Sequence, residues 1–119
     1  MIPLPERLRG HLLADEPLAK YTAARIGGAA DLLYLARESL DQLAEVVYWG
    51  WQQGIPVRVI GGGANILVSD RGVRGLVVVN RVNQIEFGSW HGGRTVSASG
   101  GTSLSVFANR SVWLVWNGL

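Results

Sequence analysis

The 119-residue chain has no cysteine. Disulfides, thiolate metal sites and a cysteine nucleophile are therefore excluded. Only two histidines occur, His11 and His91, and neither has a second histidine or a carboxylate at ligand spacing, so no metal site is expected. Ser97, Ser99 and Ser103 have no adjacent histidine to activate them, and no catalytic residue is assigned. Charge of one sign is also scarce, at 11 cations against 9 anions, a net +2 with no Lys/Arg run. Nucleic acid is accordingly not expected as a partner. No apolar run approaches the roughly 20 residues of a membrane span, and residues 1–10 lack the charged-then-apolar pattern of a secretory leader. The expectation is a cytoplasmic domain with no membrane partner.

What the chain has in excess is glycine, 16 residues, against an average usage of about 7%. Many fall in clusters, at Gly27-Gly28, Gly61-Gly62-Gly63, Gly92-Gly93 and Gly100-Gly101. Such clusters mark tight turns or a close approach of backbone to something else. Apolar runs separate them, which argues against a low-complexity linker.

Residues 5–18 allow a short helix with Leu8, Leu12 and Leu13 on its buried face, interrupted by Gly10. Residues 29–36 hold the apolar run Leu32-Leu33-Tyr34-Leu35 and read as a buried strand. Ser39 with Gln42 three residues later forms a capping box, opening a helix whose apolar stripe is Leu40, Leu43, Ala44, Val47 and Trp51. Gly54 and Pro56 stop it. Residues 57–60 form a strand, residues 65–68 resume an apolar, strand-like segment, residues 69–72 a turn, and residues 76–79 another buried strand. Residues 84–90 and 94–99 read as the arms of a hairpin, and Ser103 caps a final helix running toward Leu114. The order gives an α+β or α/β fold: a strand–helix–strand unit, then a small mixed or antiparallel sheet.

The segment Ile60-Gly61-Gly62-Gly63-Ala64-Asn65-Ile66 carries the most chemistry. A strand ends and three glycines follow, so successive N–H groups can converge on an anion such as a pyrophosphate. Asn65 adds an amide at the loop's edge. It is neither the G-x-G-x-x-G fingerprint nor a P-loop, because no Lys-Ser/Thr pair follows the glycines. Taken alone, the loop fits a plain glycine turn between strands equally well. Arg25-Ile26-Gly27-Gly28 is a second candidate, for which opening the next strand is the favoured reading. Asp70-Arg71-Gly72 reads as turn chemistry, and Asp41 with Glu45 as a solvated helix face.

These motifs, in order, resemble the N-terminal part of the UDP-N-acetylenolpyruvoylglucosamine reductase family. The likeness starts at Leu18-Ala19-Lys20-Tyr21-Thr22 and Arg25-Ile26-Gly27-Gly28-Ala29-Ala30-Asp31. It passes through the helix at Leu40 and Leu43 and through Gly54-Ile55-Pro56-Val57. Its tightest stretch runs from Ile60 to Gly72, then Arg74-Gly75-Leu76-Val77 and Ser99-Gly100-Gly101-Thr102.

The resemblance implies an FAD-binding domain of the vanillyl-alcohol-oxidase (PCMH) type, α+β. Residues 1–17 would be a helical lead-in, 18–80 a first subdomain and 81–119 the beginning of a second, with no substrate domain. It also implies that Ile60, Gly61, Gly62, Gly63, Ala64, Asn65 and Ile66 bind FAD. Ala64 replaces the family's usual serine, which removes one hydroxyl hydrogen bond. NADPH would be the co-substrate of the full-length family, whose reaction in peptidoglycan precursor synthesis reduces a UDP-sugar enolpyruvyl group. The family's catalytic arginine, serine and glutamate have no counterpart positions here, so the chain is expected to stop short of the substrate site and to lack reductase activity alone. The apolar tail at residues 112–116 fits that expectation. Two alternatives stay open: a non-catalytic nucleotide- or flavin-binding module, and an oxidase of the wider FAD-linked superfamily.

Overall fold

The computed structural model describes residues 4–62 and 66–116, with backbone alone at 104 and 113–116. Gly63, Ala64 and Asn65 of the glycine run lie outside the described residues. The fold is α+β. A four-stranded sheet has the order β1-β2-β4-β3, formed by β1 (Leu12–Pro17), β2 (Ala29–Ala36), β3 (Val57–Ile60) and β4 (Val73–Asn80). β2, β4 and β3 run parallel, and β1 is antiparallel to β2. A separate hairpin pairs β5 (Ile85–Trp90) with β6 (Gly93–Ala98).

The centre of the sheet explains itself. Leu76, Val77, Val78 and Val79 are all buried, a continuous apolar run of the kind a strand covered on both faces requires. Leu76 and Val78 face one core with Tyr34, Ala36, Val46, Trp49 and Val82. Val77 and Val79 face the other with Leu18, Ala30 and Leu33. Alternation along β2 is shifted by an irregularity between Ala30 and Leu32. There the Asp31 carboxylate accepts the Gly75 N–H at 3.0 Å and pairs with Arg74 at 3.0 Å, which ties the start of β4 to β2.

The helix α2 (Leu40–Gln52) is capped as the sequence indicates, with the Ser39 Oγ accepting from the Gln42 N–H at 3.0 Å. The reciprocal bond goes one residue earlier than the motif requires, from the Glu38 N–H to Gln42 Oε1 at 3.1 Å. Its buried face is rotated from the expected stripe: Leu43 and Val47 of that stripe pack half-buried on the core, but Gln42, Val46, Trp49 and Gly50 are the buried residues, and Leu40, Ala44 and Trp51 are exposed. Two contacts set this rotation. A methyl group on Gly50 would lie 2.6 Å from Val57 Cγ2, so only glycine lets the helix approach β3. Gln42 Nε2 donates to the buried Tyr34 hydroxyl at 2.8 Å.

Removing that hydroxyl has a measurable consequence. Tyr34→Phe leaves the Gln42 amide unpaired in the core and is expected to cost about 1–2 kcal/mol in urea unfolding. Burial raises the Tyr34 phenol above its ordinary 10.0, with the Gln42 bond opposing. A raised acid stays protonated in the fold, so its contribution is full below pH 10.0 and is lost as pH rises through the folded value. The variant should therefore show a flatter alkaline limb in stability against pH.

Two other expectations are corrected. The helix at the N-terminus, α1 (Glu6–Arg9), is one turn long, and residues from Leu12 onward form β1. The partner strand β2 supplies the hydrogen bonds that decide this, pairing Leu12 with Tyr34 and Leu13 with Leu33. Residues 66–68 are irregular, not a strand; Val68 packs on a core while Leu67 is 83% exposed. The strand–helix–strand unit of β2, α2 and β3 is present, with β4 inserted between its two strands.

The hairpin turn is as expected. Trp90 pairs with Gly93 around His91 and Gly92, at φ of 50° and 77°, the two left-handed residues of a type I′ turn. The last helix, α3 (Leu104–Trp116), begins where the Ser103 carbonyl accepts the Phe107 N–H at 3.0 Å. No described residue after Val82 is buried. No helix among the described residues is long and apolar enough to cross a membrane.

Candidate functional site

The carboxyl ends of the parallel strands bring together two of the glycine clusters, the run starting at Gly61 and the pair Gly100-Gly101. In open parallel sheets this edge is where ligands bind, because loops diverge there and leave a crevice. β3 ends at Ile60 and delivers Gly61 and Gly62; β4 ends at Asn80 and leads into Arg81 and Val82. A methyl group on Gly61 would sit 3.1 Å from the Gly100 carbonyl oxygen, so the second glycine pair closes on the first. Gly62, in contrast, has nothing among the described residues within 4 Å of such a group. Of the two described glycines of the run, Gly61 is packed and Gly62 is open to the described residues.

Ser99 docks the second pair. Its hydroxyl donates to the Val82 carbonyl and accepts from the Gln84 N–H at 2.9 Å, and it lies 3.2 Å from the Thr102 hydroxyl. Asn80 Oδ1 accepts from the Val82 N–H at 3.0 Å. Gly101 is required by proximity: a methyl group there would lie 2.5 Å from the Val82 nitrogen. The Arg81 guanidinium donates to the Gly61 carbonyl, joining the end of β4 to the end of β3.

Of the residues singled out in the run, Ile60, Gly61, Gly62 and Ile66 are described, and Gly63, Ala64 and Asn65 fall between them. Ile60 and Ile66 line the same cavity of about 520 Å³, walled mainly by apolar side chains including Leu18, Val68 and Val77. Arg58 and Arg74 also line it. Arg74 is committed to Asp31 and to the carbonyls of Ala29 and Arg71.

The second glycine candidate resolves as architecture. Gly28 donates to the Ser69 carbonyl at 2.9 Å, and a methyl group on it would lie 2.3 Å from the Asp70 oxygen. Gly27, at φ 131°, leaves no room beside Val68. The pair thus lets the turn at residues 69–72 lie directly on the start of β2, anchoring the exit of the glycine run. Asp70 sits in that turn, closed by the Gly72 N–H to Ser69 carbonyl bond at 2.9 Å. Asp41 and Glu45 are on the exposed helix face, where Glu45 pairs with Arg7. The fold brings Glu38 to 3.4 Å from His11, a pairing the sequence does not display. Among the described residues no group of His, Asp or Glu forms a metal cluster.

Arg81 and Asn80 are the residues that sequence reasoning passed over. Their signal was present: two polar residues directly after the buried run Leu76-Val77-Val78-Val79, at the edge where ligands collect.

Comparison with known proteins agrees with this geometry. The family described as FAD binding domain matches residues 32–111. The UDP-N-acetylenolpyruvoylglucosamine reductase of Carboxydothermus hydrogenoformans is 36% identical over 117 residues, covering 98% of this chain and 37% of the relative. That of Rubrobacter xylanophilus is 43% identical over 95 residues, covering 80% and 31%. That of Anaeromyxobacter sp. strain K is 42% identical over 108 residues, covering 91% and 32%. The chain thus spans roughly a third of the length of these curated relatives. The match from 32 to 111 runs from β2 through both glycine pairs into α3, the segment that builds the strand-end site, and the chain belongs to the FAD binding domain family.

Proposed function

We propose that this chain is the flavin-binding portion of a UDP-N-acetylenolpyruvoylglucosamine reductase, a cytoplasmic enzyme of peptidoglycan precursor synthesis. In this reading the FAD pyrophosphate rests on Ile60, Gly61, Gly62, Gly63, Ala64, Asn65 and Ile66. The supporting observation is the contrast between the two described glycines of the run. Gly61 is closed off by Gly100, whereas Gly62 presents open backbone at the carboxyl end of β3. A diphosphate needs such unobstructed N–H groups, and a side chain at Gly62 would occupy its place. The residues present therefore fit the cofactor.

When bound, FAD supplies hydride chemistry, between NADPH and the enolpyruvyl double bond of a UDP-sugar in the reductase reading. The chain's own part is to bind and orient. Backbone amides of the run hold the diphosphate, Ser99 and Thr102 brace the second glycine pair against it, and the turn at 69–72 fixes the loop's exit. No residue here is assigned a proton or hydride step, so we place the UDP-sugar site and the catalytic groups with the part of the relatives that this chain does not match. Residues 18–80 act as a first subdomain and 81–119 as the start of a second, with residues 1–17 leading in.

Amide mapping by nuclear magnetic resonance tests this reading. FAD added to the isotope-labelled chain is expected to perturb the amides of residues 60–66 and 99–102 most strongly. Perturbations confined to the cavity beside Arg58 and Val73, with residues 60–66 unmoved, would contradict it.

A further inference from the structure

Arg81 is half-buried and held at both of its ends. Its backbone N–H donates to the Ala36 carbonyl at 2.8 Å, at the end of β2, and its guanidinium donates to the Gly61 carbonyl, at the end of β3. A single residue therefore spans the carboxyl ends of the three parallel strands. A guanidinium is charged at any accessible pH, and its bond to a carbonyl is stronger than one between neutral groups.

That bond fixes more than one atom. The Gly61 carbonyl and the Gly62 N–H belong to one planar peptide unit, and no described peptide bond is cis. In a trans unit the two groups point in opposite directions. With its oxygen turned to Arg81, this peptide must aim the Gly62 N–H away from Arg81. Two successive glycines offer no side chain to resist rotation of the peptide between them, so the guanidinium is the restraint that selects its orientation. An added methyl group on Gly62 meets nothing within 4 Å among the described residues.

We propose that Arg81 is a positioning residue whose bond to the Gly61 carbonyl orients the Gly62 N–H toward the flavin phosphate. This rests on the reading that the glycine run holds the FAD pyrophosphate. Arg81 then acts on the phosphate through a peptide and not as a direct salt-bridge partner.

The experiment compares the 119-residue chain with its Arg81→Met and Arg81→Lys variants, using two probes, FAD and inorganic pyrophosphate. Loss of the donor in Arg81→Met is expected to weaken FAD about tenfold to a hundredfold. It should also shift the Gly62 amide resonance before any ligand is added, and leave the salt dependence of affinity unchanged. Arg81→Lys, which keeps a donor of similar reach, should restore the Gly62 resonance and most of the affinity. A Gly62 resonance that is the same in Arg81→Met and wild type would overturn the proposal. So would a salt slope reduced by about one, the mark of a lost direct phosphate contact. Should Arg81→Met fail to fold, the lysine variant decides alone: FAD binding tenfold weaker with an unmoved Gly62 resonance would overturn the tether. A wild-type chain that binds neither probe would overturn the flavin reading itself, an outcome separate from an unmoved Gly62 in a chain that binds.

Discussion

Gly72→Ala is expected to cost about 3–5 kcal/mol of folding stability, a large share of what a domain of this size has. Gly72 has φ 76°, and a methyl group on it would lie 1.9 Å from the Ala29 oxygen and 2.9 Å from the Ala29 nitrogen and carbonyl carbon. Those atoms are backbone of β2, which is pinned between β1 and β4, so they cannot yield. Gly54 is the natural control. Its φ is 70°, yet a methyl group there meets nothing within 4 Å. Gly54→Ala should therefore cost only about 1 kcal/mol, the conformational part alone. Urea unfolding followed by circular dichroism measures both. Equal losses would mean that the close approach of the turn to β2 carries no energy.

Local signals in the sequence are what made parts of this fold legible. β2 and β3 lie at residues 29–36 and 57–60 as the apolar runs indicate, because Gly27-Gly28 and Arg37-Glu38 bound the first and Pro56 and Gly61 the second. The hairpin is legible because Trp90-His91-Gly92-Gly93 encodes its own turn. What was not legible depends on partners far along the chain. Leu8, Leu12 and Leu13 have helical spacing, and only pairing with β2 makes a strand from Leu12 onward. The inward face of α2 is set by Gly50 against Val57 and by Gln42 against Tyr34, neither of which appears in the helix's own apolar stripe.

The candidate site divides in the same way. The run beginning at Ile60 is visible as glycine clustering, and its family likeness adds the ordered motifs around it. Its partners are tertiary: Gly100 against Gly61, and Arg81 on the Gly61 carbonyl. Glycine clusters alone do not reveal which glycines serve the fold and which serve a ligand. The space around each one shows which the packing requires. Gly28 and Gly72 meet backbone at 2.3 and 1.9 Å, while Gly62 meets nothing among the described residues.

Gly62→Asp is expected, on that distinction, to abolish flavin binding while sparing the fold. The side chain enters open space, and the φ of Gly62 lies outside the left-handed range, so stability should change by no more than about 0.5 kcal/mol. The new carboxylate would stand where a diphosphate is to lie. Repulsion between close like charges in a partly desolvated site is worth several kcal/mol, so affinity should fall about a hundredfold or more. Gly72→Ala would lose flavin only along with the fold, and the two variants separate a binding glycine from a structural one.

The most direct test is a flavin titration of the chain and of Gly62→Asp at one salt concentration, followed by flavin fluorescence and visible absorbance. Saturable binding of one FAD per chain, lost in the variant while its urea midpoint stays in place, is the predicted result. Equal affinity in the two proteins would contradict the assignment of the glycine run as the pyrophosphate site.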